Sequence, residues 1–258
     1  MYSDDTLKEM AQNKRKWSSA ANDLFLRFID RNYKTDAASE YARHGFSRRV
    51  QALVHLTDRV FSIIPPNSQK SPSKEVRHDA EAFVQSFLVN VYGAIDNMAR
   101  IWCVETDLRN LKGVPIADGM IGFGPKNIRV RESVPDDLRD YLVKCDPWFG
   151  YLENYRHAVA HRIPVYIPPA ALNDKDTEEY RRIEDEIGKA IRERDFELWG
   201  ELMAKQRALG TFKPVMMHSY GENARPVTVH AQMICDTATV VEIGEHLLKV
   251  LPNGKCAT

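Results

Sequence analysis

The run Tyr155-Arg156-His157-Ala158-Val159-Ala160-His161-Arg162 brings two imidazoles and two guanidiniums together in a short stretch of chain. Imidazole changes charge near neutral pH and can give or take a proton, while guanidinium grips phosphate oxygens through paired N–H donors. Such groups suit acid–base cleavage of a phosphodiester. One takes the proton of the nucleophile, one returns a proton to the leaving oxygen, and the cation stabilises the charge that develops. RNA carries its own nucleophile in the 2′-hydroxyl, so this chemistry needs no metal and no cofactor.

The spacing predicts that these residues ride on a helix from about Trp148 to Arg162, opened by Asp146-Pro147, because proline is well tolerated in the first turn. Trp148, Leu152, Tyr155 and Val159 form an apolar seam. Gly150, Asn154, His157 and His161 form a polar stripe roughly opposite it, with the two histidines one turn apart. Arg156 lies about 140° round the helix from His161, and its long side chain can reach back toward it. The plainer reading makes His161 and Arg162 favourable cations at a helix C-terminus. Glu153, His157 and His161 also have the spacing of metal ligands, but no second Glu-x-x-His set accompanies them, and no metal site is expected. The segment Gly122 to Lys126 lacks the spacing of a phosphate-cradling loop, and no Gly-x-Ser-x-Gly elbow exists.

In its order and context the motif resembles the HEPN superfamily (higher eukaryotes and prokaryotes nucleotide-binding). Its members carry Arg-x4-6-His, often with a polar residue directly after the arginine, on a late helix of an α-helical bundle. Arg156, His157 and His161 fit those positions. The resemblance implies a homodimer whose facing motifs form one composite cleft. It also implies a metal-independent endoribonuclease, with Arg156, His161 and His157 as catalytic residues, often in toxin–antitoxin or phage-defence settings. A polar or acidic residue on the preceding long helix often supports the family's site, and Asp96 and Asn97 are the candidates here. The alternative is a non-catalytic HEPN-like module that binds a nucleotide or a protein partner, such as an antitoxin or a nucleotidyltransferase. Two other matches have poorer contexts. Arg225 to His230 falls in an expected β-hairpin, and Arg48 and Arg49 precede His55 on an early helix.

The elements that must position these residues read as all-α. Apolar spacing predicts helices from about Thr6 to Asn32 and Ala37 to Ile64, then a proline-broken linker that ends at Ser73, a helix cap. The longest periodic stretch, from about Lys74 to Glu105, carries Ala80, Val84, Phe87, Leu88, Val91, Ile95, Met98 and Trp102 as a core seam. Ser86, Asn90, Gly93 and Asn97 run along another side, where a second helix or a polar cavity can come close. Asp96 and Arg100 are spaced as an i,i+4 ion pair. The segment from about Leu111 to Ser133 is broken by glycine and proline into a loop, with Lys126, Arg129 and Arg131 as a local basic spot. A short helix follows to about Cys145. Residues from about Asp174 to Leu209 read as a charged, exposed helical hairpin, and the stretch around Gly221-Glu222-Asn223 as a small β-hairpin. Asp236 then caps a last helix, from about Thr237 to Leu251.

The expectation is one HEPN-like domain of seven or eight helices over residues 1–258, with 165–233 inserted as the helical hairpin plus β-hairpin. Thirty-six Lys plus Arg balance 36 Asp plus Glu, so no bulk field draws the chain to nucleic acid, and RNA or nucleotide binding must rest on a local patch. Cys103, Cys145, Cys235 and Cys256 form no Cys-x-x-Cys pair, which fits a reduced, cytoplasmic setting. No stretch has the length of apolar sequence that a membrane span needs.

Overall fold

The structure is a computed structural model and describes residues 2–219 and 225–252. Its centre is α4 (Lys74–Glu105), whose first turn is capped by the Ser73 hydroxyl accepting from the Val76 N–H at 3.3 Å. The predicted seam is buried along its whole length, from Ala80 through Phe87, Leu88 and Val91 to Met98 and Trp102. Burial of this continuous apolar stripe is what holds so long a helix in a globular chain.

Against α4 pack α1 (Asp4–Asp30), α2 (Asp36–Glu40), α3 (Ser47–Ile63), α7 (Asp146–His161) and α10 (Val229–Val250), directly or through their neighbours, around one core. α2 and α3 are joined without a break by a π-helical turn, Tyr41–Phe46. That turn lies on α4, where Gly45 comes so close that a Cβ would stand 2.9 Å from the Asn97 side chain. Close approach explains the glycine.

The glycine-rich segment is more ordered than a solvated loop. Arg109 and Pro115 form an isolated antiparallel bridge, Asp118–Met120 is a 3-10 turn, and α5 (Ile128–Ser133) adds a short helix absent from the sequence expectation. Phe123 is fully buried. Arg131, expected in a basic surface spot, is buried as well. It donates to Phe123 O at 2.7 Å, Leu142 O at 3.2 Å and Asp146 Oδ1 at 2.5 Å, and its guanidinium lies over the Phe149 ring. One satisfied arginine thus pins the loop to α6 (Asp136–Lys144) and α7.

The charged segment forms α8 (Asp174–Glu193) and α9 (Phe196–Arg207), which pack on each other around a separate small cluster of Ile183, Ile187, Ala190 and Leu202. The β-hairpin comprises β1 (Val215–Met216) and β2 (Val227–Thr228), antiparallel, with Val215 opposite Thr228. Its expected turn, Gly221-Glu222-Asn223, lies outside the described residues, as does Cys256. Cys103, Cys145 and Cys235 are free.

The last helix departs from expectation. α10 starts at Val229, so Asp236 is not its cap but a fully buried mid-helix residue. Its carboxylate accepts from Trp148 Nε1 at 2.8 Å, Gln232 Nε2 at 2.7 Å and Tyr151 Oη at 3.3 Å. Among the described residues, no helix is long and apolar enough to cross a membrane.

Candidate functional site

Of the apolar seam expected on α7, Leu152 and Tyr155 are buried, whereas Trp148 and Val159 are only half-buried and Phe149 and Ala158 take the core positions beside them. Phe149, Leu152, Tyr155 and Ala158 are buried against the core, whereas Gly150, Glu153, Asn154, His157 and His161, with Arg162 and Lys126, line an open trough of about 430 Å³. The His157 and His161 rings lie 6.1 Å apart between centroids. His161 is the last residue of α7 and is exposed; His157 Nε2 stands 3.7 Å from Glu153 Oε1.

Two devices shape this trough. Lys126 reaches in from the pinned loop and donates to Glu153 at 2.8 Å, a contact that holds the Glu153 carboxyl below its ordinary range. Arg162 turns back and donates to Asn154 O at 2.8 Å and to Asn154 Oδ1 at 2.6 Å. The Asn154 amide nitrogen lies 3.2 Å from His218 Nε2, and the fully buried His218 ring meets Tyr155 edge-on. His218 was missed by the sequence reading, since nothing near it in sequence marks it; its partners come from α7.

Arg156 points elsewhere. Its guanidinium sits 4.6 Å from the centroid of the Tyr92 ring on α4, in cation–π geometry, and it is not part of the trough lining. Beside Tyr92 is a second, smaller hollow of about 50 Å³, bordered by Asp96 on one side and by Gly122, Gly124, Lys126 and Glu153 on the other. The two hollows share Lys126 and Glu153, so the site is one strip running from His161 to Asp96.

Asp96 is half-buried, and burial pushes its carboxyl above its ordinary range against the pull of Arg100, Arg156 and Arg49. The expected Asp96–Arg100 ion pair does not form. Arg100 donates instead to Asp118 Oδ1 at 2.7 Å, because the loop brings a more exposed carboxylate within reach. Asn97 lies on the adjoining side of α4, where its Oδ1 accepts from Arg49 Nε at 3.0 Å. Asp96 thus borders the small hollow beside Tyr92, and Asn97 faces α3.

The stripe of Asn90, Gly93 and Asn97 does admit a second helix, and Arg49 of α3 fills the space. A Cβ on Gly93 would stand 2.3 Å from its guanidinium carbon. Among the described residues, no three His, Cys, Asp or Glu side chains gather into a metal-binding group.

The fold and site define an all-α protein with a small antiparallel hairpin and a polar strip, bearing charges of both signs, that runs along α7 to its longest helix. No family model, curated protein or solved structure matches the chain.

Proposed function

We propose that this protein is a metal-independent endoribonuclease of HEPN type, acting in the cytoplasm on RNA through a site that two copies complete. The observation that carries the reading is the open trough on α7, which sets His157 and His161 6.1 Å apart with Lys126 and Arg162 on its rim. Two imidazoles supply the acid and the base, and the flanking cations attract the phosphate, Lys126 by exchanging its Glu153 partner for it. Arg156, fixed by Tyr92, supplies the phosphate clamp at the far end of the strip, beside Asp96. An exposed histidine at a helix end, above a shallow trough, favours an extended polyanion over an enclosed small molecule. It also leaves room for a second chain to bring its own histidine opposite.

The position of Arg156 favours a second reading. Its guanidinium is engaged at Tyr92 and not in the histidine trough, which suits a module that binds a nucleotide phosphate without cutting, as the partner of an antitoxin or a nucleotidyltransferase. Cleavage of end-labelled single-stranded RNA in excess chelator separates the two. The parent cuts, and Arg156→Ala and His161→Ala lose about 100-fold or more with unchanged helical circular dichroism. Equal inertness of all three would favour the binding module, and equal cutting would remove these residues from the mechanism.

A further inference from the structure

Arg49 is held in a way that leaves its charge unspent. Its Nε donates to Asn97 Oδ1 at 3.0 Å and its Nη1 to Asn90 Oδ1 at 3.4 Å. Asn90 is itself oriented, since its Nδ2 donates to Ser86 O at 2.9 Å one turn back. Gly93 gives the guanidinium its resting surface, and Gly45 of the π-helical turn gives Asn97 its own. Two neutral amides and two missing Cβ atoms therefore set the direction of the fork without neutralising it. Nη2 has no hydrogen-bond partner among the described residues and is not enclosed.

The same chain shows what a structural arginine looks like. Arg131 is buried, pairs with the Asp146 carboxylate at 2.5 Å, donates to two backbone carbonyls and covers an aromatic ring. Arg49 has no carboxylate at ion-pair distance among the described residues, and neither has Arg156. Both act on the half-buried carboxyl of Asp96, from α3 and α7 respectively, as does Arg100, which also pairs with Asp118. Cations outnumber anions around this point of α4, and two of them are oriented by uncharged groups. Preorganised guanidinium forks of this kind match the oxygens of a phosphate.

We infer that Arg49, with Arg156 across Asp96, forms a second anion-binding position on the α4 face that takes a phosphate group of the RNA backbone. The assignment to RNA rests on the function proposed above; the phosphate position itself does not. It would hold a neighbouring phosphate of the strand whose scissile bond lies over the trough, and so set the register of cutting.

Arginine side-chain ¹H–¹⁵N spectra of the full chain, titrated with inorganic pyrophosphate and separately with a 2′-fluoro single-stranded RNA, test this. Both probes are expected to move the Arg49 Nε signal to saturation. Affinity should fall about tenfold in Arg49→Lys, which lacks the fork, and in the isosteric Asn97→Asp, which gives Arg49 a carboxylate of its own. An unmoved Arg49 signal, or unchanged affinity in Asn97→Asp with its helical content intact, would overturn the proposal. Movement by pyrophosphate alone would overturn RNA as the source of the phosphate. Saturable binding at Arg49 in a protein that cuts no RNA would instead remove the nuclease reading and leave the anion position standing.

Discussion

The Arg156 guanidinium lies over the Tyr92 ring, 4.6 Å from its centroid, so the arginine of the Arg-x4-His motif is anchored to α4 while its histidine ends α7 in solvent. One helix therefore delivers its two chemical groups to different places: Arg156 against the core wall, His161 on the open trough. The proposed function therefore requires a partner chain or a bound strand to bring both to one phosphate.

This anchoring has a measurable weight. A double-mutant cycle of Arg156→Ala and Tyr92→Leu, followed by urea unfolding, should return a coupling of about 0.5–1 kcal/mol, the range for a partly exposed cation–π contact. In RNA cleavage Arg156→Lys should lose about tenfold or more, because an ammonium keeps the charge but loses the planar stack and the fork. Full activity in the lysine variant would make Arg156 a point charge and nothing further.

Gly93→Ala tests the α3–α4 contact from the opposite side. The added Cβ would stand 2.3 Å from the Arg49 guanidinium carbon, which is the far end of a flexible side chain and can swing away. Better helix propensity offsets the lost contacts, so stability should change by no more than about 1 kcal/mol. Pyrophosphate binding should nevertheless drop, since Arg49 leaves Asn90 and Asn97. A melting temperature well below that of the parent would show that the Arg49 contact carries structural weight as well.

Asp236 sets a pH dependence of stability whose sign is fixed by its burial. Sealed between α7 and α10, its carboxyl is raised to about 7, against 3.8 in an exposed chain. The unfolded chain releases this proton near pH 4, the folded chain only near pH 7, so the group costs stability progressively as pH rises through that window. Asn in its place keeps an acceptor for Trp148 Nε1 and Gln232 Nε2 and has no charge to bury. Urea melts at pH 4.5 and pH 7.5 should show the parent falling behind Asp236→Asn by up to a few kcal/mol at the higher pH. A difference that does not change with pH would mean the carboxylate is stabilised by its three donors well enough to stay ionised.

Much of the scaffold can be read from the chain, and the reasons differ by element. α4 is visible because its apolar period runs from Ala80 to Trp102 without a break behind the Ser73 cap, and the polar side of α7 because Gly150, Asn154, His157 and His161 recur at helical spacing. Asp236 misleads because a polar residue before an apolar run looks like a cap. Its real partners Trp148 and Tyr151 come from α7, and only tertiary packing supplies them. Val227-Thr228-Val229 invites a longer strand, yet the helix takes over at Val229 once two residues have paired. The placement of Arg49 was half legible. The small and polar stripe of Asn90, Gly93 and Asn97 announces a close approach, but which side chain fills it depends on the π-helical turn, and that turn has no local signal beyond Gly45.

The α8–α9 hairpin should unfold as a unit of its own. Its apolar cluster of Ile183, Ile187, Ala190 and Leu202 is separate from the main core, and the isolated bridge Ala171–Thr211 closes the two chain segments at its base. So small a cluster supports only a low opening free energy, because few apolar contacts offset the entropy of ordering two helices. Native-state hydrogen exchange should therefore find amides of α8 and α9 opening well before those of α4. Leu202→Ala removes the largest contribution of α9 to the cluster and should cost about 2–3 kcal/mol, with the loss confined to hairpin amides. Exchange in α4 and α10 should stay at the parent rate. Equal slowing or quickening throughout the chain would show that the hairpin and the bundle unfold together, and the inserted segment would then belong to the cooperative core.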